Sequence, residues 1–164
     1  MPQYPVPSAH SIVVGTPSGI MYMEFLQGAE VFPATILPGD LVEFTTPGTD
    51  CTVKAAQAGT NYVIGVADVH VGNVNMGGSD RTHAYAEGDP VLVFRGTATC
   101  MLRLAMGQAG IGCGEFLMPA ASGEVTLYTC GSDDDCERIA QALETVAHDT
   151  DNFQWVMCAL ERFG

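Results

Sequence analysis

The residues of this sequence that could do chemistry are six cysteines, four histidines and nineteen acids. Thiolate, imidazole and carboxylate within reach of one another make either an activated nucleophile or a metal site, and spacing decides whether they meet. Cys51, Cys100, Cys113, Cys130, Cys136 and Cys158 contain no Cys-x-x-Cys pair, which excludes a zinc ribbon and a thioredoxin-like dithiol. Most lie in apolar, strand-like runs such as Val156-Met157-Cys158-Ala159-Leu160, where a thiol acts as a small hydrophobe, so buried free cysteines are expected. Cys130 and Cys136 differ, because Gly131-Ser132-Asp133-Asp134-Asp135 between them is a tight polar loop that a disulfide could close. His70 and His83 flank a Gly-, Asn- and Ser-rich loop, with Asp68 and Asp80 nearby. Two imidazoles and two carboxylates could hold a metal, but nothing in the spacing fixes them on one face, and a solvated loop is the expectation. Asp133-Asp134-Asp135 lacks the alternating acids of a calcium loop. Gly107 to Gly112 does not match the dinucleotide fingerprint, and there is no nucleophile elbow, His-Glu-x-x-His or P-loop. The sequence therefore predicts no catalytic residue, no metal and no cofactor.

The elements that would carry these residues are short strands. Pro38-Gly39-Asp40-Leu41-Val42-Glu43-Phe44 and Glu87-Gly88-Asp89-Pro90-Val91-Leu92-Val93-Phe94 each set a Gly-Asp pair before an alternating apolar run. Glycine supplies a positive φ, the aspartate can bond nearby backbone, and β-branched and aromatic residues favour the pleated strand that follows. A weaker third copy is Gly112-Cys113-Gly114-Glu115-Phe116-Leu117-Met118. Hairpins are predicted over 41–55, over 91–102 with a turn at Arg95-Gly96, and over 115–128; Tyr62 to Val71 reads as one long strand. Asp133-Asp134-Asp135 could cap a helix beginning near Cys136, because Ile139, Leu143 and Val146 fall at helical spacing. Residues 1–30 form an N-terminal arm and hairpin ahead of the main domain at 31–164. Prolines 2, 5 and 7 make the arm extended, and Ser11-Ile12-Val13-Val14 and Gly19 to Leu26, with Ile20 in the second, are its two expected strands.

A chain of 164 residues, 47% hydrophobic and 15% charged, can bury a sizeable core and is not disordered. Its formal charge of −13 argues against a nucleic-acid backbone as partner. The charge is uneven: residues 1–37 carry only Glu24 and Glu30, whereas 101–164 carry ten acids against Arg103, Arg138 and Arg162. Such a chain suits docking with one end and facing water with the other. The first residues lack the basic start and apolar core of a secretion signal, and their prolines break any spanning helix, so no membrane partner is expected.

Several pieces of the chain, taken in order, carry a resemblance to a known family. They are Gly39-Asp40-x-Val42, Ala55-Ala56 before Gly59, Val63-Ile64-Gly65-Val66-Ala67, and Gly88-Asp89-x-Val91-x-Val93 closed by Gly96. The ending Ile139-Ala140-Gln141-Ala142-Leu143-Glu144 and Trp155-Val156-Met157-Cys158-Ala159-Leu160 completes the set, and over roughly residues 34 to 161 these pieces resemble the small all-β decoration, or cement, proteins of tailed-virus capsids. The resemblance implies an all-β, hairpin-built β-barrel or tulip-shaped domain, without enzymatic activity, on the outside of an icosahedral head and often trimeric; it also makes 138–147 a strand paired with 153–161 in place of a helix. The partners it implies are the major capsid protein and further copies of this chain; the protein would be made in the host cytoplasm and carried on the virion. On that reading the interface falls on Tyr4, Pro5, Val6, Ile12, Val13, Val14, Ile20, Tyr22, Phe25 and Trp155. Against it stand a virion-surface adhesion or glycan-binding β module and a small metal-dependent β-barrel enzyme using His70 and His83. The single tryptophan, Trp155, lies in an apolar strand rather than among exposed aromatics that would stack on sugar.

Overall fold

The computed structural model describes residues 21–28, 35–46, 51–60, 62–68, 84–96, 99–105, 107, 110–129, 138–147 and 154–161. Ten strands account for most of them: β1 Met21–Gln27, β2 Leu41–Phe44, β3 Thr52–Ala55, β4 Val63–Ala67, β5 Pro90–Arg95, β6 Thr99–Leu104, β7 Phe116–Pro119, β8 Val125–Leu127, β9 Ala140–Ala142 and β10 Gln154–Leu160. They close into two five-stranded barrels, the first in the cyclic order β1-β3-β2-β4-β5 and the second β6-β8-β7-β9-β10. Closure satisfies the edges that an open sheet would present. The all-β, barrel-like architecture expected from the sequence is present, as two small rings.

The two rings are the same object. β1 pairs with β3 in parallel and with β5 antiparallel, and β6 repeats this with β8 and β10. Register agrees position by position: Val42 opposite Ala55 and Gly65 corresponds to Leu117 opposite Leu127 and Ala140. Ala67 opposite Val93 corresponds to Ala142 opposite Cys158, and Gln27 beside Val53 to Leu104 beside Val125. Even the isolated bridges match, Ile36 with Tyr85 and Ile111 with Val146. The chain is thus an internal structural duplication.

The Gly-Asp turns are its signature. In Leu37-Pro38-Gly39-Asp40, the Asp40 N–H donates to Leu37 O at 3.0 Å while the Leu37 N–H donates to Asp40 Oδ2 at 2.7 Å. Proline at the second position and Gly39 at φ 85° make this a type II turn. Ala86 to Asp89 and Gly112 to Glu115 repeat both bonds, with carboxylate contacts of 2.7 and 2.6 Å and Gly88 and Gly114 at φ 85° and 92°.

One predicted hairpin is absent. β5 and β6 are separated by three residues yet do not pair, because both edges of β5 are taken by β1 and β4. The chain instead leaves the first ring at Gly96, φ 119°, and starts the second. The hairpins β2–β3 and β7–β8 form as expected, and within 138–147 the three residues Ala140–Ala142 form strand β9 paired with β10, with no helix in the segment. β4 ends at Ala67 and Asp68 follows it outside the strand; positions 69–71 of the strand expected to Val71 lie outside the described residues. β1, read from sequence as part of the leading segment, is a stave of the first barrel.

Ile36, Val42, Val53, Ala55, Ile64, Ala67, Tyr85, Val91 and Val93 fill the first barrel. A shift in the β2–β4 register between Val42 and Glu43 marks a bulge, which turns both Ile64 and Ala67 inward although their spacing of three positions is odd. The second core holds Cys100, Leu102, Ile111, Leu117, Val125, Ala140, Ala142, Val156 and Cys158, and also Leu41, Val66 and Phe94 from the first barrel. Those last three are one cross-strand row on the outer face of β2, β4 and β5. Its counterpart in the second barrel is Phe116, Gln141 and Ala159, half-buried, with the Arg138 guanidinium 4.2 Å over the Phe116 ring. The first barrel therefore buries a face that the second leaves toward solvent.

Candidate functional site

The densest polar chemistry among the described residues lies where the barrels meet. The turn Leu37 to Asp40 from the first barrel seats against β6 and β10 of the second. Gly39 O accepts the Arg103 N–H at 3.4 Å, and a Cβ on Gly39 would collide with the Trp155 ring. The hairpin tip between β7 and β8 closes the other side. Gly123 N donates to Ala56 O at 2.8 Å, and a Cβ there would meet Asp40. Ser122, at φ 62°, holds the left-handed conformation needed to place that tip.

Inside this seam Arg103 Nη1 donates to Asp40 Oδ1 at 2.6 Å and Nη2 to Glu124 Oε1 at 2.8 Å. Asp40 and Arg103 are buried. Two carboxylates share one guanidinium, so the fully ionised cluster carries an excess negative charge out of water. Burial pushes Asp40 up to about 7, against the Arg103 charge and the Leu37 N–H, which favour the carboxylate. Glu124 is also raised, by burial first, with Arg103 opposing. The cluster can hold the barrels in one relative position and take up a proton near neutrality. The equivalent of Arg103 in the first barrel is Leu26, so the charge is a property of the seam and not of the barrel plan.

The residues singled out from the sequence are distributed as follows. Tyr4, Pro5, Val6, Ile12, Val13, Val14 and Ile20 lie outside the described residues, as do Cys130, Cys136, His70, His83 and Asp80. Tyr22 and Phe25 are in β1, opposite Phe94 and Val91. Trp155 is half-buried on the second core, covering Gly39 at the seam within the chain. Asp68 is buried, its backbone O accepting the Tyr85 hydroxyl. Cys100 and Cys158 are free and buried, as expected of thiols in apolar strands, whereas Cys51 and Cys113 are free and exposed. Sequence reasoning did not single out Arg103 or Glu124. A signal existed for Arg103, a cation inside the apolar run Met101-Leu102-Arg103-Leu104, which demands a buried partner.

No protein-family model and no curated protein matches this chain. Among solved structures it is similar to the crystal structure of the head fiber gp8.5 N base in bacteriophage phi29. The likeness has a TM-score of 0.53 at 16% sequence identity and covers 87% of this chain and 97% of that one. At that identity the two share a fold.

Proposed function

We propose that this chain is a structural protein of a tailed-phage virion, a decoration or cement protein bound to the outer surface of the head. The observation that carries the reading is the fold likeness, which spans nearly the whole of a head-fibre base. The resemblance of the ordered Gly-Asp strands to capsid decoration proteins points the same way. The protein acts mechanically and not as an enzyme: copies bind across seams of the expanded shell and add buried area that opposes internal DNA pressure. Contacts weak in isolation sum over many sites per particle. The N-terminal arm grips the major capsid protein by strand addition or groove binding, and the chain assembles as a homotrimer. Neither nucleic acid nor membrane is a partner; among the described residues no helix is long and apolar enough to cross a membrane.

Mixing purified protein with expanded and unexpanded shells of its own virus, then sedimenting, tests the reading. Saturable binding to expanded shells is expected; no binding to either form refutes it. A second reading, a base or adhesion module for a head fibre, is favoured by the fibre identity of the similar structure. It predicts sparse occupancy of the shell together with binding to host cells or glycans.

A further inference from the structure

Cys100 and Cys158 face each other. They are register partners on the antiparallel strands β6 and β10, both fully buried, and both belong to the second core. Residues directly opposite in an antiparallel pair project from the same sheet face with Cα atoms about 4.5 or 5.5 Å apart, and both separations fall in the span a disulfide bridges. Neither thiol is bonded to the other, and Cys158 Sγ donates to Val156 O at 3.4 Å. The duplication supplies an internal control: the matching pair in the first barrel is Met23 opposite Val93. The barrel plan accepts an ordinary apolar pair here, so two thiols are not required by the fold.

We propose that Cys100 and Cys158 are a latent redox site, a dithiol that closes to a disulfide and ties the first strand of the second barrel to its last. One Sγ attacks a low-molecular-weight disulfide, releasing one small thiol and leaving a mixed disulfide. The second Sγ displaces the other small thiol. The protein loses two protons and two electrons, and the reagent's sulfur–sulfur bond is reduced. Burial raises both thiols, with the Glu144 charge adding to Cys158, so attack from the closed barrel is slow. Exchange proceeds when β10 opens, or during folding. The inference stands on the register of β6 and β10 and is independent of the proposed function.

The test uses the full chain with Cys51→Ser, Cys113→Ser, Cys130→Ser and Cys136→Ser, leaving the core pair. It is equilibrated through a urea unfolding and refolding cycle in a glutathione redox buffer, then alkylated after denaturation and mapped by mass spectrometry. The expected result is an intrachain Cys100–Cys158 linkage, with the melting temperature raised by about 5–10 °C and restored by reductant. Two alkylated thiols at oxidising ratios that fully close an ordinary dithiol, a linkage only between chains, or a lowered melting temperature overturns the proposal. Cys158→Val in the full chain, which installs the residue of the first barrel, serves if the serine variant does not fold. Its melting temperature should no longer respond to the redox buffer in the way wild type does. An unchanged response assigns the effect to other cysteines and refutes the site.

Discussion

The seam makes folding depend on pH in a direction unusual for an aspartate in an ion pair. Asp40 rises from 3.8 to about 7 on folding, with burial the largest cause. Between those values the folded state binds more protons than the unfolded state, so stability falls as pH rises through the window. The difference of about three units gives a cost of about 4 kcal/mol at pH 7.4 and about 2 kcal/mol at pH 5.4. Acidification over that range should thus stabilise the protein by about 2 kcal/mol, and Glu124, raised in the same direction, adds to the effect. For a chain of this size that is a rise of roughly 4–8 °C in melting temperature. Urea unfolding at half-unit pH steps from 5 to 8, on wild type and Asp40→Asn, isolates the site, because the variant carries every other titrating group. The wild-type minus variant stability should decline with pH. A difference that is flat, or that rises with pH, means the ion pair with Arg103 outweighs burial and refutes the reasoning.

Other perturbations follow from the same geometry. Gly39→Ala combines a left-handed backbone with a collision against Trp155 and should cost about 2–4 kcal/mol. Gly88→Ala and Gly114→Ala occupy the same turn with nothing within 4 Å, and each should cost about 1 kcal/mol in denaturant melts. Equal costs at all three sites would mean that the turn, and not the seam, sets the penalty. Arg103→Leu, which installs the residue of the first barrel, strands Asp40 and Glu124 in the seam and should lose about 3–5 kcal/mol at pH 7.4. Much of that loss should be recovered at pH 5, where Asp40 takes up a proton.

Much of the local structure is legible in the sequence because its determinants are local. A Gly-Asp or Gly-Glu pair places a positive φ and a carboxylate within three residues of the N–H it accepts, so all three turns are visible before any tertiary contact is known. The alternation in Thr52–Ala55 and Phe116–Pro119 likewise marks strands with one face inward. Val63–Ala67 is apolar throughout because it is covered on both faces, by its own barrel and by the neighbouring one. The run reads correctly as a strand but gives no inner or outer side.

An all-β chain punctuated by repeated turns, with thiols in apolar strands, is readable from local residue patterns. Long-range pairing is what makes ten strands into two rings of one plan, puts Arg95 and Thr99 in different barrels, and seats one turn of three against the neighbouring barrel. Asp40 and Arg103 lie 63 residues apart, and Arg103 and Glu124 lie 21 apart. No periodicity or short-range rule joins positions so distant. They meet because the outer row Leu41, Val66 and Phe94 needs burial, and the face that covers it brings the guanidinium with it.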